Sequence, residues 1–417
     1  MAMEKNIPLD FRCPISMELM KDPVTIFTGV TYERKNIERW FFTYKKKTCP
    51  ATMQTIHNFA ITPNHTLKRL MLAWQKQLYS CQSSSPPPPQ PSINHDEMLS
   101  LLKIVESSPF KVSSLKKLRS LMEMAAIETK SDFIRCGGLQ VLQVMVVQIL
   151  VDTSDFASFR ACEEALGVVH QLLPLMSLEV EAFELLSKPE SMKSMAIVLQ
   201  RGSAEARLFA VTTFRNMAKT SDYDWNILVQ DQGIDFFKSL LELVSDEICT
   251  KASSCALELL IRILCSSMKS RLRAIEAGAV CLLIELLPES NGSRCEKMLH
   301  LIKLLCECAE GRLALVDHSM GIAAVSKKLL HVSNTATKIG VKIMWLISSL
   351  HPTERVLEEM LIYGMVKKLL ALLHMEGPSS TKHKVLKMFR LHAYSWRRYP
   401  CFPSNLMDHL GSVNRSC

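Results

Sequence analysis

Few groups in this chain could do covalent chemistry, and their arrangement narrows which chemistries are open to it. Before Cys81 only two cysteines occur, Cys13 and Cys49, each followed by a proline. A structural zinc centre takes four sulfur or nitrogen ligands, usually arriving as Cys-x-x-Cys or Cys/His pairs. Two isolated cysteines do not supply them, so no metal and no other cofactor is expected. No Ser/His/Asp or Cys/His constellation suggests nucleophilic catalysis either, and Cys13 reads as a structural thiol. The remaining cysteines are scattered through apolar, helical-looking stretches, as at Cys162, Cys255, Cys265, Cys306 and Cys308, without a regular framework. That pattern belongs to reduced core thiols in the cytosol or nucleus.

The elements that position the first cysteines read as loop, hairpin, helix, loop, helix. Val24 to Phe27 and Val30 to Tyr32 flank the turn signal Thr28-Gly29. Glu33 then opens a helix whose Ile37, Trp40, Phe41 and Tyr44 fall at i, i+3, i+4 and i+7 and make one apolar face. After a second loop around Cys49-Pro50, Thr62 is expected as an N-cap with Pro63 at the first helical position. Leu67, Leu70, Met71, Trp74 and Leu78 follow at the spacing of a buried stripe.

Together Cys13-Pro14-Ile15-Ser16, Leu19, Asp22-Pro23-Val24, Gly29, Thr31-Tyr32, Trp40, Cys49-Pro50 and Thr62-Pro63-Asn64 resemble the U-box of plant U-box proteins. The resemblance implies a RING-like, zinc-free α+β module over residues 6–80 that docks a ubiquitin-conjugating enzyme (E2) and makes the chain a ubiquitin ligase. Carried over by position, the docking surface falls on Cys13, Pro14 and Ile15 in loop one, Trp40 on the helix and Pro50 in loop two. An exposed Ile beside rigid prolines gives apolar contact at low entropic cost, and Trp is a frequent hot-spot residue. Trp40 also shares the helix's buried face, which leaves a core role open. Asp22 and Asn64 stand where the family braces its loops, though each also fits an ordinary turn or helix start. Where many such ligases place an Arg or Lys after the second loop, contacting both ubiquitin and E2, this chain has Met53, which cannot donate a hydrogen bond; Gln54 is next to it.

Of the 417 residues, 50 are Lys or Arg and 41 are Asp or Glu. Residues 1 to 80 hold twelve Lys and Arg against six Asp and Glu, a basic surface that suits an acidic partner. Lys45-Lys46-Lys47 lacks interleaved aromatics, so nucleic acid is not expected as a partner. The N-terminus has no apolar core of a signal peptide, and Val141 to Val151 is too short to span a bilayer. A soluble protein of the cytoplasm, or of cytoplasm and nucleus, is expected. Ser83-Ser84-Ser85 and the prolines from Pro86 to Pro91 mark 81–95 as a stiff polyproline spacer, with an SH3-type ligand the rival reading.

From Asp96 the chain is helix-forming and repetitive. Leads into apolar helices recur at Gly138, near Ser191, and at Gly233, Gly278, Gly321 and Gly364, at intervals of 53, 42, 45, 43 and 43 residues. Armadillo and HEAT units run about 40–47 residues. Glycine ahead of the long third helix resembles the armadillo repeats of plant U-box proteins, so 96–400 is expected as an armadillo superhelix offering a concave surface to a protein substrate. The interval near Ser187 to Arg201 predicts a distorted repeat; Lys382 to Cys401 predicts a cap with Trp396 over the last apolar face, followed by a tail over 401–417. The fold class is thus mainly α. The expected function is an E3 ubiquitin ligase, which by resemblance belongs to plant stress or immune signalling. The alternative is a non-enzymatic scaffold with a weakened U-box, favoured by Met53. Homo- or hetero-oligomerisation is left open.

Overall fold

The computed structural model describes residues 7–80, 95–108, 110–151, 155–176, 183–220, 223, 225–231, 233–375 and 379–399. The Ser/Pro spacer, apart from His95, and the tail over 401–417 lie outside them. The chain divides into two compact units, Met1–Leu228 with Asp246–Ala256, and Val229–Ser245 with Leu257–Cys417.

The first unit opens with a hairpin of β1 (Pro23–Ile26) and β2 (Thr31–Glu33), turned at Gly29 with φ +78°. Helix α1 (Arg34–Glu38) follows and widens into π-helical turns over Arg39–Thr43. A third strand, β3 (Ile61–Pro63), pairs antiparallel with β1, giving the order β2-β1-β3. The expected N-cap at Thr62 is therefore wrong. Thr62 faces Thr25 in the sheet, and Pro63 sits at a strand end, where its missing N–H is tolerated. Helix α2 (His65–Ser80) begins after Asn64. Its stripe is narrower than the spacing suggested: Met71 is buried, Leu67 and Trp74 are half-buried, and Leu70 is 56% exposed.

Seven further helices complete most of this unit: α3 (His95–Ser107), α4 (Lys111–Met124), α5 (Ile127–Arg135), α6 (Gly138–Val147), α7 (Phe156–Met176), α8 (Pro189–Arg201) and α9 (Ala204–Thr220); α10 (Asn226–Asp231) starts in it and ends in the second. Helix α7 is buried over most of its length because α4, α6 and α9 pack against it. One polar cluster sits among these helices. Arg119 of α4 pairs with Glu164 of α7 at 3.3 Å and with Glu205 of α9, and its guanidinium lies 4.9 Å over the Phe209 ring.

Helix α11 (Gly233–Ser245) belongs to the second unit, and α12 (Thr250–Ser266) starts in the first and ends in the second. The second unit continues with α13 (Met268–Glu276), α14 (Ala279–Leu286), α15 (Gly292–Leu305), α16 (Ala309–Asp317), α17 (Gly321–Lys328), α18 (Asn334–Leu350), α19 (Glu354–Ile362), α20 (Met365–His374) and α21 (Ser379–Trp396). Helices three places apart stack: α11 on α14, α14 on α17, α15 on α18, and α18 on α21. That is the packing of three-helix repeats, each burying its apolar face on the next.

Gly137, Gly278 and Gly364 take left-handed φ values of 84°, 89° and 71°, ending a short helix where a Cβ would strain the chain. The first turn thus lies one residue before the expected Gly138. Gly138 instead opens α6, where an added Cβ would meet the Phe133 ring at 2.3 Å. The irregular repeat near Ser191 starts α8 with Pro189 at its first position, preceded by Lys188. At the far end Trp396 is fully buried, donates from Nε1 to Leu357 O at 3.1 Å and stands edge-on to Phe389. Among the described residues no single helix is long and apolar enough to cross a membrane.

Candidate functional site

The two Cys-Pro segments build the same turn twice. In loop one the Cys13 N–H donates to Glu18 O and the Met17 N–H to Cys13 O, each at 2.8 Å. In loop two the Cys49 N–H donates to Gln54 O at 2.9 Å and the Met53 N–H to Cys49 O at 2.8 Å. Met17 and Met53 both adopt left-handed φ, 60° and 59°, and isolated bridges Arg12↔Leu19 and Thr48↔Thr55 close the two loops. The signal was present in the sequence as Cys13-Pro14-Ile15-Ser16-Met17 and Cys49-Pro50-Ala51-Thr52-Met53, an internal echo that composition and periodicity do not expose.

Buried sulfur accepts the hydrogen bonds that brace each loop. Cys13 Sγ takes them from the Glu33 N–H and from Asn36 Nδ2, both at 3.4 Å. Cys49 Sγ lies 3.0 Å from the Tyr32 hydroxyl, 3.3 Å from Thr28 Oγ1 and 3.5 Å from the Thr52 N–H. Burial pushes the Cys49 thiol up, but the hydrogen bonds from Thr28, Thr52 and Tyr32 outweigh it and leave the thiol below its ordinary range. Burial drives the Tyr32 phenol far above its usual value, so it stays a donor, and its oxygen accepts the Ala51 N–H at 3.1 Å. Both cysteines are completely buried, and among the described residues no group of His, Cys, Asp and Glu could hold a metal ion.

The polar residues singled out from the sequence sit at the joints. The Asp22 carboxylate lies between Arg34 of α1 at 2.6 Å and Lys68 of α2 at 3.3 Å, and the Arg34 hydrogen bond is the largest influence lowering its pKa. Asn64 donates from Nδ2 to the hydroxyls of Thr25 and Thr31, each at 3.2 Å, while its Oδ1 accepts the Leu67 N–H at 2.9 Å and so caps α2. Glu33, which sequence reasoning took only for a helix start, accepts the backbone N–H groups of Lys21 and Asp22 at 2.6 and 3.0 Å and closes loop one.

The residues carried over as a docking surface gather in one place. Trp40 is 9% exposed, and its Nε1 donates to Thr48 O at 2.8 Å, tying α1's extension to loop two. Pro14 is partly exposed, Pro50 is buried, and Met53 is 37% exposed. The expectation of an exposed Ile15 is corrected: it is 1% exposed, inside a buried cluster with Ile37, Trp40, Phe41 and Ile248, the last from the segment before α12.

Comparison with known proteins follows the same division. Residues 7–79 match the U-box domain, and residues 96–411 match the plant U-box protein ARM repeat region. The chain is 33% identical over 412 residues to the E3 ubiquitin-protein ligase PUB23 of Arabidopsis thaliana, covering 98% of each chain. It is 32% identical over 442 residues to the Arabidopsis thaliana E3 ubiquitin-protein ligase PUB22, covering 98% of this chain and 99% of the relative. Among solved structures, a chain from a study of the cadherin and beta-catenin interaction superposes with a TM-score of 0.57 at 12% identity, over 80% of this chain and 60% of that one, a likeness of fold alone. The hairpin and paired loops braced by thiols, the three-helix repeats later in the sequence and these two relatives identify the chain as a member of the plant U-box family of E3 ubiquitin-protein ligases.

Proposed function

We propose that the two Cys-Pro loops and the helix between them receive a ubiquitin-charged E2, and that ubiquitin passes to a lysine of a protein substrate held by the repeats. In that transfer the substrate amine attacks the thioester carbonyl and the conjugating enzyme's thiolate leaves. The ligase contributes position and restraint rather than a nucleophile of its own. What carries this reading is the pair of equivalent turns on either side of α1, braced by thiols too buried to react. Met53 is exposed but offers no donor to ubiquitin. The neighbouring Gln54 accepts the Thr52 hydroxyl through Oε1 at 3.4 Å, and its exposed amide is the group we assign to that contact. The layout shared with plant U-box proteins supports a place in stress or immune signalling, in the cytoplasm or in cytoplasm and nucleus.

The test is reconstitution of the full chain with activating enzyme, a panel of conjugating enzymes, ubiquitin and ATP. Chain formation above the background without the ligase is expected. Because Ile15 is buried, Ile15→Ala would mix loss of folding with loss of docking, so the docking variant is Pro14→Glu at a partly exposed position. Pro14→Glu should remove the signal while circular dichroism stays unchanged. No ubiquitin chains with any conjugating enzyme, from the full chain or from the opened variants described below, would leave the scaffold reading in its place.

A further inference from the structure

The face that would receive the E2 is already occupied by the chain's own repeats. Pro50 O of loop two accepts the Ala204 N–H at 3.0 Å, so a U-box carbonyl satisfies one of the orphan N–H groups at the start of α9. Ala51 O accepts from Arg160 Nη1 of α7 at 3.1 Å. Arg160 is in turn held by Glu163 at 2.5 Å, and the other oxygen of Glu163 accepts the Ser203 N–H at 2.6 Å, which locks the α7 and α9 partners to each other. On the helix side, Tyr44 Oη accepts the Glu247 N–H at 2.9 Å and Arg39 pairs with the Glu247 carboxylate. Ile248 is 8% exposed within the cluster that holds Ile15 and Trp40, and Ala204 packs against that cluster. Loop two, the helix and the apolar residue of loop one are thus all engaged from the repeat side.

We propose that the repeats close the U-box: α7, the start of α9 and the segment 246–248 occupy the E2-docking face, and ligase activity requires their release. The proposal rests on the reading of that face as the E2 site. Geometry makes the two bound states exclusive, because the Pro50 and Ala51 carbonyls and the Ile15 cluster cannot meet Arg160, Ala204 and Ile248 and also an incoming enzyme. A protein that binds α7 and α9 more tightly than the U-box does would therefore switch the ligase on, joining substrate capture to activation.

The test uses full-length protein, two variants on the repeat side and outside the docking machinery, and one compensating change on the U-box side at Arg39. Ile248→Asp places a charge in the apolar cluster; Glu247→Arg, at an exposed position, sets like charges against Arg39. The readouts are discharge of ubiquitin from charged conjugating enzyme to free lysine and amide exchange over residues 46–56. Ile248→Asp should speed both by about tenfold or more, and Glu247→Arg should speed both by about twofold to fivefold. Adding Arg39→Glu to Glu247→Arg should restore the slow rates. Discharge by the native chain as fast as by both variants would overturn closure while leaving the ligase reading intact. If exchange rises in the variants but no form discharges any conjugating enzyme, the ligase reading falls and closure as a control of activity falls with it.

Discussion

Asn64→Ala is the sharpest probe of how hydrogen bonds hold the loops of this module. The side chain makes three hydrogen bonds: a cap on the Leu67 N–H and donations to the Thr25 and Thr31 hydroxyls. Loss of an N-cap side chain costs about 1 kcal/mol. The two threonine hydroxyls still hold each other at 2.9 Å, so each lost donation costs only about 0.5 kcal/mol. The sum is about 2 kcal/mol, or roughly a thirtyfold larger open population. A single melting curve would not resolve it, because the chain's two units need not unfold together. Native-state hydrogen exchange at the Val24, Thr25 and Thr31 amides in the full chain reads it directly. Asn64→Asp keeps the cap oxygen and loses only the donations, so it should show about half the free-energy change. Acceleration below about threefold for Asn64→Ala would refute the account of Asn64 as the joint between sheet and α2.

The other predictions concern charge and metal. Arg119→Met strands the Glu164 and Glu205 carboxylates among packed helices and should destabilise the first unit by about 3–5 kcal/mol, read as loss of exchange protection in α4, α7 and α9. Burial, reinforced by Arg119 and further cations, holds the His170 imidazole at about 4 rather than 6.5. Protonation therefore favours the unfolded chain: this stability is complete above pH 6.5 and is lost as the pH falls towards 4, by about 2–3 kcal/mol, and His170→Gln should flatten the pH profile of exchange protection in α7 and α9. Met53→Arg supplies the donor the native residue lacks and should speed chain formation several-fold, with no change in the exchange of the loop-two amides. Chelation by EDTA should leave both exchange protection and chain formation unchanged, since Cys13 and Cys49 accept hydrogen bonds and no metal cluster lies among the described residues.

The helix periods were legible because apolar spacing reports which face is covered, and glycines at 278 and 364 report where a left-handed turn must fall. Boundaries were less so. Strand β3 was read as the start of a helix because Thr62-Pro63 fits both a cap and a strand end, and only pairing with β1 decides between them. Asp22 and Asn64 were picked out as braces by their place in the family resemblance, since by itself each fits an ordinary turn or helix start equally well. The two sulfurs were not found as acceptors. A buried thiol looks the same in sequence whether it packs or accepts, and the donors Tyr32, Thr28 and Asn36 lie 17 to 23 residues away, with Thr52 the near exception. The burial of Ile15 was illegible for a related reason: Ile248 lies more than two hundred residues further on, and nothing local announces the pairing.

That long separation does not make closure costly. The U-box and α3 are joined by the short stretch between Ser80 and His95, so docking on α7 and α9 is an intramolecular event. Effective concentrations for such tethered partners are about millimolar. A contact with an intrinsic Kd of about 10 micromolar would then be closed about 99% of the time, and an E2 present at its own Kd would find its site reduced about a hundredfold in apparent affinity. The contact consists of two carbonyl acceptors, the Tyr44 hydroxyl, one small apolar plug and one exposed ion pair, groups that a protein gripping the same helices can displace. Lengthening the stretch between Ser80 and His95 with a Gly/Ser insert should therefore lower the effective concentration and raise discharge by the native chain, while leaving the rate of Ile248→Asp where it was. Equal acceleration of both would mean that the insert acts on something other than closure.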